Sequence, residues 1–179
     1  IELQTTKNIF ALMFLLRGIP FVDLAYLRKA DIQGNTLKYR RRKTGRLLTV
    51  MLTPDAIKLI RIVAKTKPES PYLFPFLSSP EGTEAAYHEY QSSLRMFNYR
   101  LSRLKKYMKT AAHLSSYTIR HTWATMAYYC EIHPGIISEA MGHSSIKVTE
   151  TYLKPFQNEK IDNANSQVIS YVKEYASIV

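Results

Sequence analysis

The sequence is poor in features that could brace a fold from outside a hydrophobic core. Cys130 is its only cysteine, so no intrachain disulfide framework is possible and a reducing interior such as the cytoplasm is the expected setting. Cys130-x-x-His133 is a fragment of a zinc pattern, but no second ligand pair follows at a finger-like interval, so no metal site is expected. Long apolar runs are missing too. Nothing approaches the roughly 18 residues of a membrane span, and the first residues lack the basic-then-apolar order of a signal peptide. No Gly-rich Gly-Lys-Ser/Thr element exists, which removes a P-loop reading. Acidic residues are scarce, 14 against 25 Lys and Arg, leaving a formal charge of +11. That balance favours an extended polyanion as partner, although an anionic membrane or plain solubility also answers to it.

What is present suffices for one domain, since 46% of the 179 residues are hydrophobic. The chain begins at Ile1 rather than Met, so a preceding segment is expected. Apolar residues at Ile9, Phe10, Met13, Phe14 and Leu16 predict a largely buried helix over Gln4 to Leu16. A second helix is expected over Val22 to Lys29, after the break at Gly18 and Pro20. Turn signals at Gly34-Asn35 and Thr44-Gly45 bracket two runs, Thr36 to Arg42 and Leu47 to Leu52, which read as paired strands with Lys43 at the tip.

Pro54 opens a helix to about Lys65, and a Pro- and Ser-rich loop follows with a short strand at Tyr72 to Phe74. A long amphipathic helix is predicted from Glu84 to about Thr110, with Arg95, Arg100, Arg103, Lys105, Lys106 and Lys109 on its basic face. Ser116 should cap a helix to Cys130, Pro134 a short one ending near Met141 at Gly142, and Ser144 or Ser145 a further one containing Tyr152. Ile161, Val168, Val172, Tyr175 and Val179 mark an apolar stripe on a terminal helix. The expected fold class is mainly α with a small antiparallel β-sheet.

Four segments carry chemistry. Met141-Gly142-His143 followed at a fixed interval by Tyr152 resembles the last motif of the tyrosine recombinases, the phage-integrase family. Tyr117-Thr118-Ile119-Arg120-His121-Thr122 resembles the family's second motif, with Arg120 at the arginine position and Tyr117 where a histidine usually stands. Leu16 to Ile32 resembles the first box. Asp23 and Leu27 to Ile32 align, but the arginine position falls on Pro20, and Arg17 is expected to supply the guanidinium through a rerouted turn at Gly18. Tyr39 to Arg46 resembles the family's hairpin, whose lysine is Lys43 here. The Arg-Gly-Ile-Pro-Phe-Val-Asp form of the first box is most similar to integrases of Bacteroides-type mobile elements.

The resemblance implies the breaking and rejoining of DNA, site-specifically, through a 3′-phosphotyrosyl link to Tyr152. Direct displacement at a phosphodiester gathers charge on the non-bridging oxygens, and planar guanidinium donors suit that charge. Arg17 and Arg120 are the expected clamp, with His143 donating a further hydrogen bond and Lys43 protonating the leaving 5′ oxygen. Tyr117, a poorer base than imidazole, is expected to orient the phosphate, which leaves the proton acceptor open between His143 and solvent. Because the phosphoryl bond is conserved, neither ATP nor a divalent metal is implied.

Arg40, Arg41, Arg42, Arg46, Arg100, Arg103 and Lys106 are the candidate contacts to double-stranded DNA. Residues 1–155 are expected to form the catalytic domain and 156–179 a helical tail exchanged in a DNA-bound homotetramer, with a core-binding domain lying outside the chain. A catalytically impaired DNA-binding module on the same fold and a type IB topoisomerase are the alternatives.

Overall fold

The structure, a computed structural model, describes residues 2–108, 113–153 and 155–176. Lys109, Thr110 and Val179, which entered the expectations above, lie outside the described residues. Helix α1 (Glu2–Leu15) is the central pillar and packs on α3 (Pro54–Val63), α4 (Glu84–Met108) and α5 (Thr118–Tyr129). Its Leu12 and Met13 are fully buried. The helix ends in a turn where Arg17 and Gly18 both take positive φ, 60° and 66°. Gly18 is required there twice over. A Cβ on it would sit in an unfavourable backbone region and 3.0 Å from the Cα of Arg120.

Helix α2 (Phe21–Tyr26) is shorter than the sequence predicts. The chain leaves it because the Leu27 carbonyl accepts a hydrogen bond from the Leu73 amide at 2.7 Å, and Arg28 forms a single bridge with Tyr72. A 3₁₀ turn at Lys29–Asp31 follows, so a tertiary hydrogen bond outweighs the local helical pattern. The sheet holds β1 (Ile32–Gln33), β2 (Thr36–Arg40) and β3 (Leu47–Met51), antiparallel in that order, with Leu37 facing Val50 and Tyr39 facing Leu48. The expected pair therefore gains a short third strand across the Gly34-Asn35 turn. Strand β2 stops at Arg40, because Arg41 turns inward to a buried carboxylate.

Helix α3 is capped by Thr53, whose hydroxyl accepts from the Ala56 amide at 3.2 Å. Helix α5 begins one residue after Tyr117, and Ser116 is not its cap; its amide instead donates to Asn98 Oδ1 of α4 at 2.8 Å. His133 caps α6 (Pro134–Met141) by accepting from the Gly135 amide at 3.0 Å, which gives that ring a local structural partner. Gly142 ends α6 with φ 65°. The short α7 (Ile146–Glu150) closes before Tyr152, which lies in the following turn and not in the helix. Helix α8 (Asn158–Ala176) carries exposed Ile161, Val168 and Val172.

Most buried apolar side chains among the described residues fall into two clusters. The larger joins α1, α2, the sheet and α3 to the inner face of α4 and includes Leu16, Leu24, Leu37, Val50 and Leu101. The smaller consists of Ala124, Ile137, Met141 and Tyr152, flanked by Trp123, Ala127 and Tyr128. Among the described residues no helix is long and apolar enough to cross a membrane.

Candidate active site

Where the two clusters meet, a cleft of about 320 Å³ opens, lined among others by Arg41, Lys43, Tyr117, Arg120, His143 and Tyr152. Among the described residues no carboxylate lines it. Arg120 sits in the first turn of α5, only 2% exposed. Its guanidinium donates to the Gly18 carbonyl at 3.0 Å and to the Met141 carbonyl at 2.7 Å, one from each side of the cleft. Those two fixed bonds orient the planar group. Burial and the neighbouring Arg41 pull its pKa below the ordinary value, yet a guanidinium stays charged at any physiological pH.

Arg41 is the second guanidinium of the cleft. It is 6% exposed and pairs with Asp23 at 2.6 Å, an ion pair buried on both sides. Asp23 also accepts from the Arg42 amide at 3.0 Å, which fixes the carboxylate against the end of β2. The Arg41 stem passes over Gly142, where a Cβ would lie 2.8 Å from its Cγ. The αL glycine thus ends α6 and also makes room for the arginine.

His143 follows that glycine and is 4% exposed, with Nδ1 2.8 Å from the Thr149 hydroxyl. Burial, then the charges of Arg120, Arg41 and Lys43, push its pKa down to about 4, so the ring is neutral at neutral pH. Among the described residues its Nε2 and the Nε of Arg41 are buried without a hydrogen-bond partner. Buried polar atoms of this kind cost about 1–3 kcal/mol each when unpaired, and a ligand that accepts or shares those hydrogen bonds removes the cost.

Tyr152 is 9% exposed, and its ring stacks on His143 at 5.3 Å between centroids. Its hydroxyl is 2.5 Å from that of Tyr117, and it is near enough to Arg120 to interact with that guanidinium. Tyr117 is itself half exposed; burial and its contact with Tyr152 raise its pKa, which keeps it a neutral phenol. His121 lies against both rings, 4.7 Å from Tyr117 and 4.3 Å from Tyr152 between centroids.

Lys43 is exposed at the mouth of the cleft. Beside it the Thr44 hydroxyl donates to the Gly142 carbonyl at 3.0 Å, and Arg46 donates to the His143 carbonyl. The hairpin tip is therefore bolted to the Gly142-His143 turn.

The structure gathers Lys43, Tyr117, Arg120, His143 and Tyr152 in one place, while Arg17 does not line the cleft. The turn around Arg17 is rerouted, as its φ of 60° records. Its half-buried side chain acts on buried Tyr39 together with Arg41 and Arg120, so it stands near the cluster without entering the cleft.

The remaining basic residues divide by partner. Arg40 donates to the Gly45 carbonyl at 3.2 Å, within its own hairpin. Arg42 pairs with Glu81 and lies 3.8 Å above the Tyr26 ring. Arg100 pairs with Glu2 of α1 at 2.9 Å. Arg103 and Lys106 are exposed on α4. The sequence reading missed the internal roles of Arg41 and Arg46, because a basic run looks like a solvated face until its carboxylate and carbonyl partners are known. A usable signal was present in the strand alternation. Leu37 and Tyr39 face inward, and Arg41 continues that period of two.

Residues 3–159 match the Phage integrase family. The chain belongs to that family. Among solved structures it is similar to XerA recombinase, at 16% identity and TM-score 0.60 over 92% of this chain and 63% of that one. It is also similar to the Tn1549 transposon integrase in complex with transposon right end DNA, at 14% identity and TM-score 0.65 over 93% and 59%. A lambda integrase dimer bound to a COC′ core site matches at 15% identity and TM-score 0.57 over 83% and 51%. This integrase-family chain therefore has the mainly helical fold with a small antiparallel sheet of those proteins, and it spans about three-fifths of the length of the first two. No curated protein matches it at a significant level.

Proposed function

We propose that this chain cuts and rejoins DNA at specific sites through a covalent bond between Tyr152 and a 3′ phosphate. One observation carries the reading. The unpartnered Arg41 Nε and His143 Nε2 belong to side chains that line a carboxylate-free cleft with Arg120, Lys43 and Tyr152. A tetrahedral anion bearing non-bridging oxygens satisfies such donors. Arg120 and Arg41 are the clamp, so the second guanidinium comes from the end of β2 and not from Arg17. His143 adds a hydrogen bond. The Tyr152 oxygen attacks phosphorus, the P–O5′ bond breaks, and Lys43 gives the leaving oxygen its proton. Reversal of the same steps on a new 5′ hydroxyl rejoins the strand, with no ATP and no divalent metal in the balance. Among the described residues no three His, Cys, Asp or Glu side chains are grouped as metal ligands.

The substrate is double-stranded DNA, in keeping with the DNA-bound forms of the Tn1549 and lambda integrases. Arg103 and Lys106 would rest on its backbone and contribute position, not base specificity. Helix α8, with apolar Ile161, Val168 and Val172 exposed, would dock on a neighbouring protomer in a homotetramer assembled on DNA. The Arg17 to Asp23 stretch supports a place among integrases of Bacteroides-type mobile elements, acting on DNA in the bacterial cytoplasm.

The test is a suicide duplex carrying the chain's attachment site, nicked beside the scissile phosphate so that the released end diffuses away. A covalent protein–DNA band is expected with the wild type and none with Tyr152→Phe, while both bind DNA alike. A wild type that binds this duplex and forms no band would leave a DNA-binding module on an integrase fold.

A further inference from the structure

Tyr117 leaves the site without the imidazole its motif usually provides, and no carboxylate lines the cleft to replace it. A phenol attacking phosphorus must lose its proton, so a base has to stand within reach of the Tyr152 hydroxyl. The other histidine of the cleft, His143, is committed through Nδ1 to Thr149, and its free Nε2 is needed by the phosphate in the reading given above.

His121 lies against the two phenols and does not line the cleft. Its ring contacts Tyr117 edge-on at 4.7 Å and Tyr152 at 4.3 Å, while the two hydroxyls meet at 2.5 Å. The three rings form a closed triangle, its third side the 6.2 Å between the two phenol rings. The spacing of Tyr117 and His121, four residues apart at the start of α5, brings both rings to one helix face. Among the described residues the His121 ring makes ring contacts but no hydrogen bond, so a turn of the ring has to bring one nitrogen to the Tyr117 hydroxyl when the relay operates.

Resting on the proposed function, we infer that His121 is the proton acceptor for Tyr152, with the Tyr117 hydroxyl as the relay between them. The Tyr152 proton passes to the Tyr117 oxygen as the Tyr117 proton passes to an imidazole nitrogen of His121. The Tyr152 oxygen forms its bond to phosphorus, and the pair of the broken P–O5′ bond leaves on the 5′ oxygen. On rejoining, the imidazolium returns its proton by the same route. Burial, and then Arg120, lower the His121 pKa and keep the ring neutral and able to accept. The groups facing it are Tyr117 before its helix, Arg120 on its own helix and Tyr152 after α7, on which His143 also stacks.

The test is single-turnover cleavage of the nicked duplex from roughly pH 4 to 8, with an ordinary phosphodiester and with sulfur in place of the bridging 5′ oxygen. His121→Phe keeps a ring in the triangle and His121→Gln keeps a polar side chain. Both should cleave about 10²-fold more slowly than wild type at neutral pH, the lower end of general-base effects. The sulfur substrate should not restore them, because it removes the need for an acid and not for a base. Lys43→Ala, by contrast, should be restored. The wild type should also lose rate as pH falls through the His121 pKa, which burial and Arg120 hold below the ordinary histidine value, in a limb that both variants lack.

Variants that cleave within about threefold of wild type, or that recover with sulfur, would overturn the assignment. If the variants do not fold, a wild-type rate that stays flat from about pH 7 down to 4, where His121 and His143 would both have titrated, overturns it alone. A wild type with no covalent product refutes the proposed function instead.

Discussion

Arg41 is rooted in the larger of the two cores and Arg120 bridges both through the Gly18 and Met141 carbonyls, whereas Tyr152 belongs to the smaller. Arg41 extends from β2, backed by Asp23 and the inward row Leu37, Tyr39, Leu48 and Val50. Arg120 is tied to the α1–α2 turn through Gly18. Tyr152 packs with Ala124, Ile137 and Met141 in a small apolar cluster and stacks on buried His143, in a turn between α7 and the exposed α8. Few buried contacts mean a low free energy for local opening. The difference separates two tasks. Electrostatic stabilisation works best from donors that are fixed before reaction, while the proposed nucleophile, which would engage and release DNA, gains from a seat that opens easily.

The largest expected effect breaks the fixed half. Asp23→Ala leaves the Arg41 charge buried and alone, and should cost about 3–5 kcal/mol in denaturant unfolding. A loss below about 1 kcal/mol would mean that the pair is not buried as described.

Next is the clamp itself. Arg120→Lys and Arg41→Lys should each lower single-turnover cleavage by about 10²–10³-fold, because an ammonium cannot span two oxygens in one plane. Arg17→Lys should stay within about threefold of wild type; a loss for Arg17 equal to that of Arg41 would return the second guanidinium to the first box.

The two cores can then be compared at matched chemistry. Ile19→Val in the larger core and Ile137→Val in the smaller both remove one methylene from a buried site, worth about 0.5–1.5 kcal/mol. Hydrogen exchange should distinguish them. Ile19→Val should speed exchange throughout α1 and the sheet, while Ile137→Val should speed it in α6 and α7 alone.

Acid should weaken the two regions in different windows. His143, neutral and buried near 4, binds its proton less readily folded than unfolded, so its contribution to stability falls as pH drops from about 6.5 to 4. Glu89 is the opposite case in α4. Burial works to raise its pKa, but four hydrogen bonds from Ser78 and Ser79 outweigh it and hold the carboxyl at about 2. Its stabilisation is complete above the ordinary carboxylate value and disappears as pH falls through 2. His143→Gln should flatten the upper window of a melting-temperature profile and Glu89→Gln the lower one.

Much of this arrangement was legible in the chain. The helical periods, Pro54 and Pro134 at helix starts and Gly142 at a helix end gave most elements, because each is decided by local chemistry. The motif spacings gathered Arg120, His143, Lys43 and Tyr152 for the same reason. What escaped were effects of distant partners. The early end of α2 depends on Leu73, and the burial of Arg41 depends on Asp23, 18 residues before it. The Arg17 expectation assumed that a rerouted backbone also redirects a side chain, but positive φ at Arg17 brings Gly18 against Arg120 and leaves the Arg17 guanidinium outside the cleft.

Two phenols share a hydrogen bond in this site, so the identity of the attacking oxygen is the central claim. It can be measured by trapping the covalent product on a nicked duplex, digesting protein and DNA, and locating the nucleotide by mass spectrometry. The account predicts a 3′-nucleotide on the peptide that carries Tyr152 and none on the peptide that carries Tyr117. A nucleotide on Tyr117, or on any other residue, would contradict it.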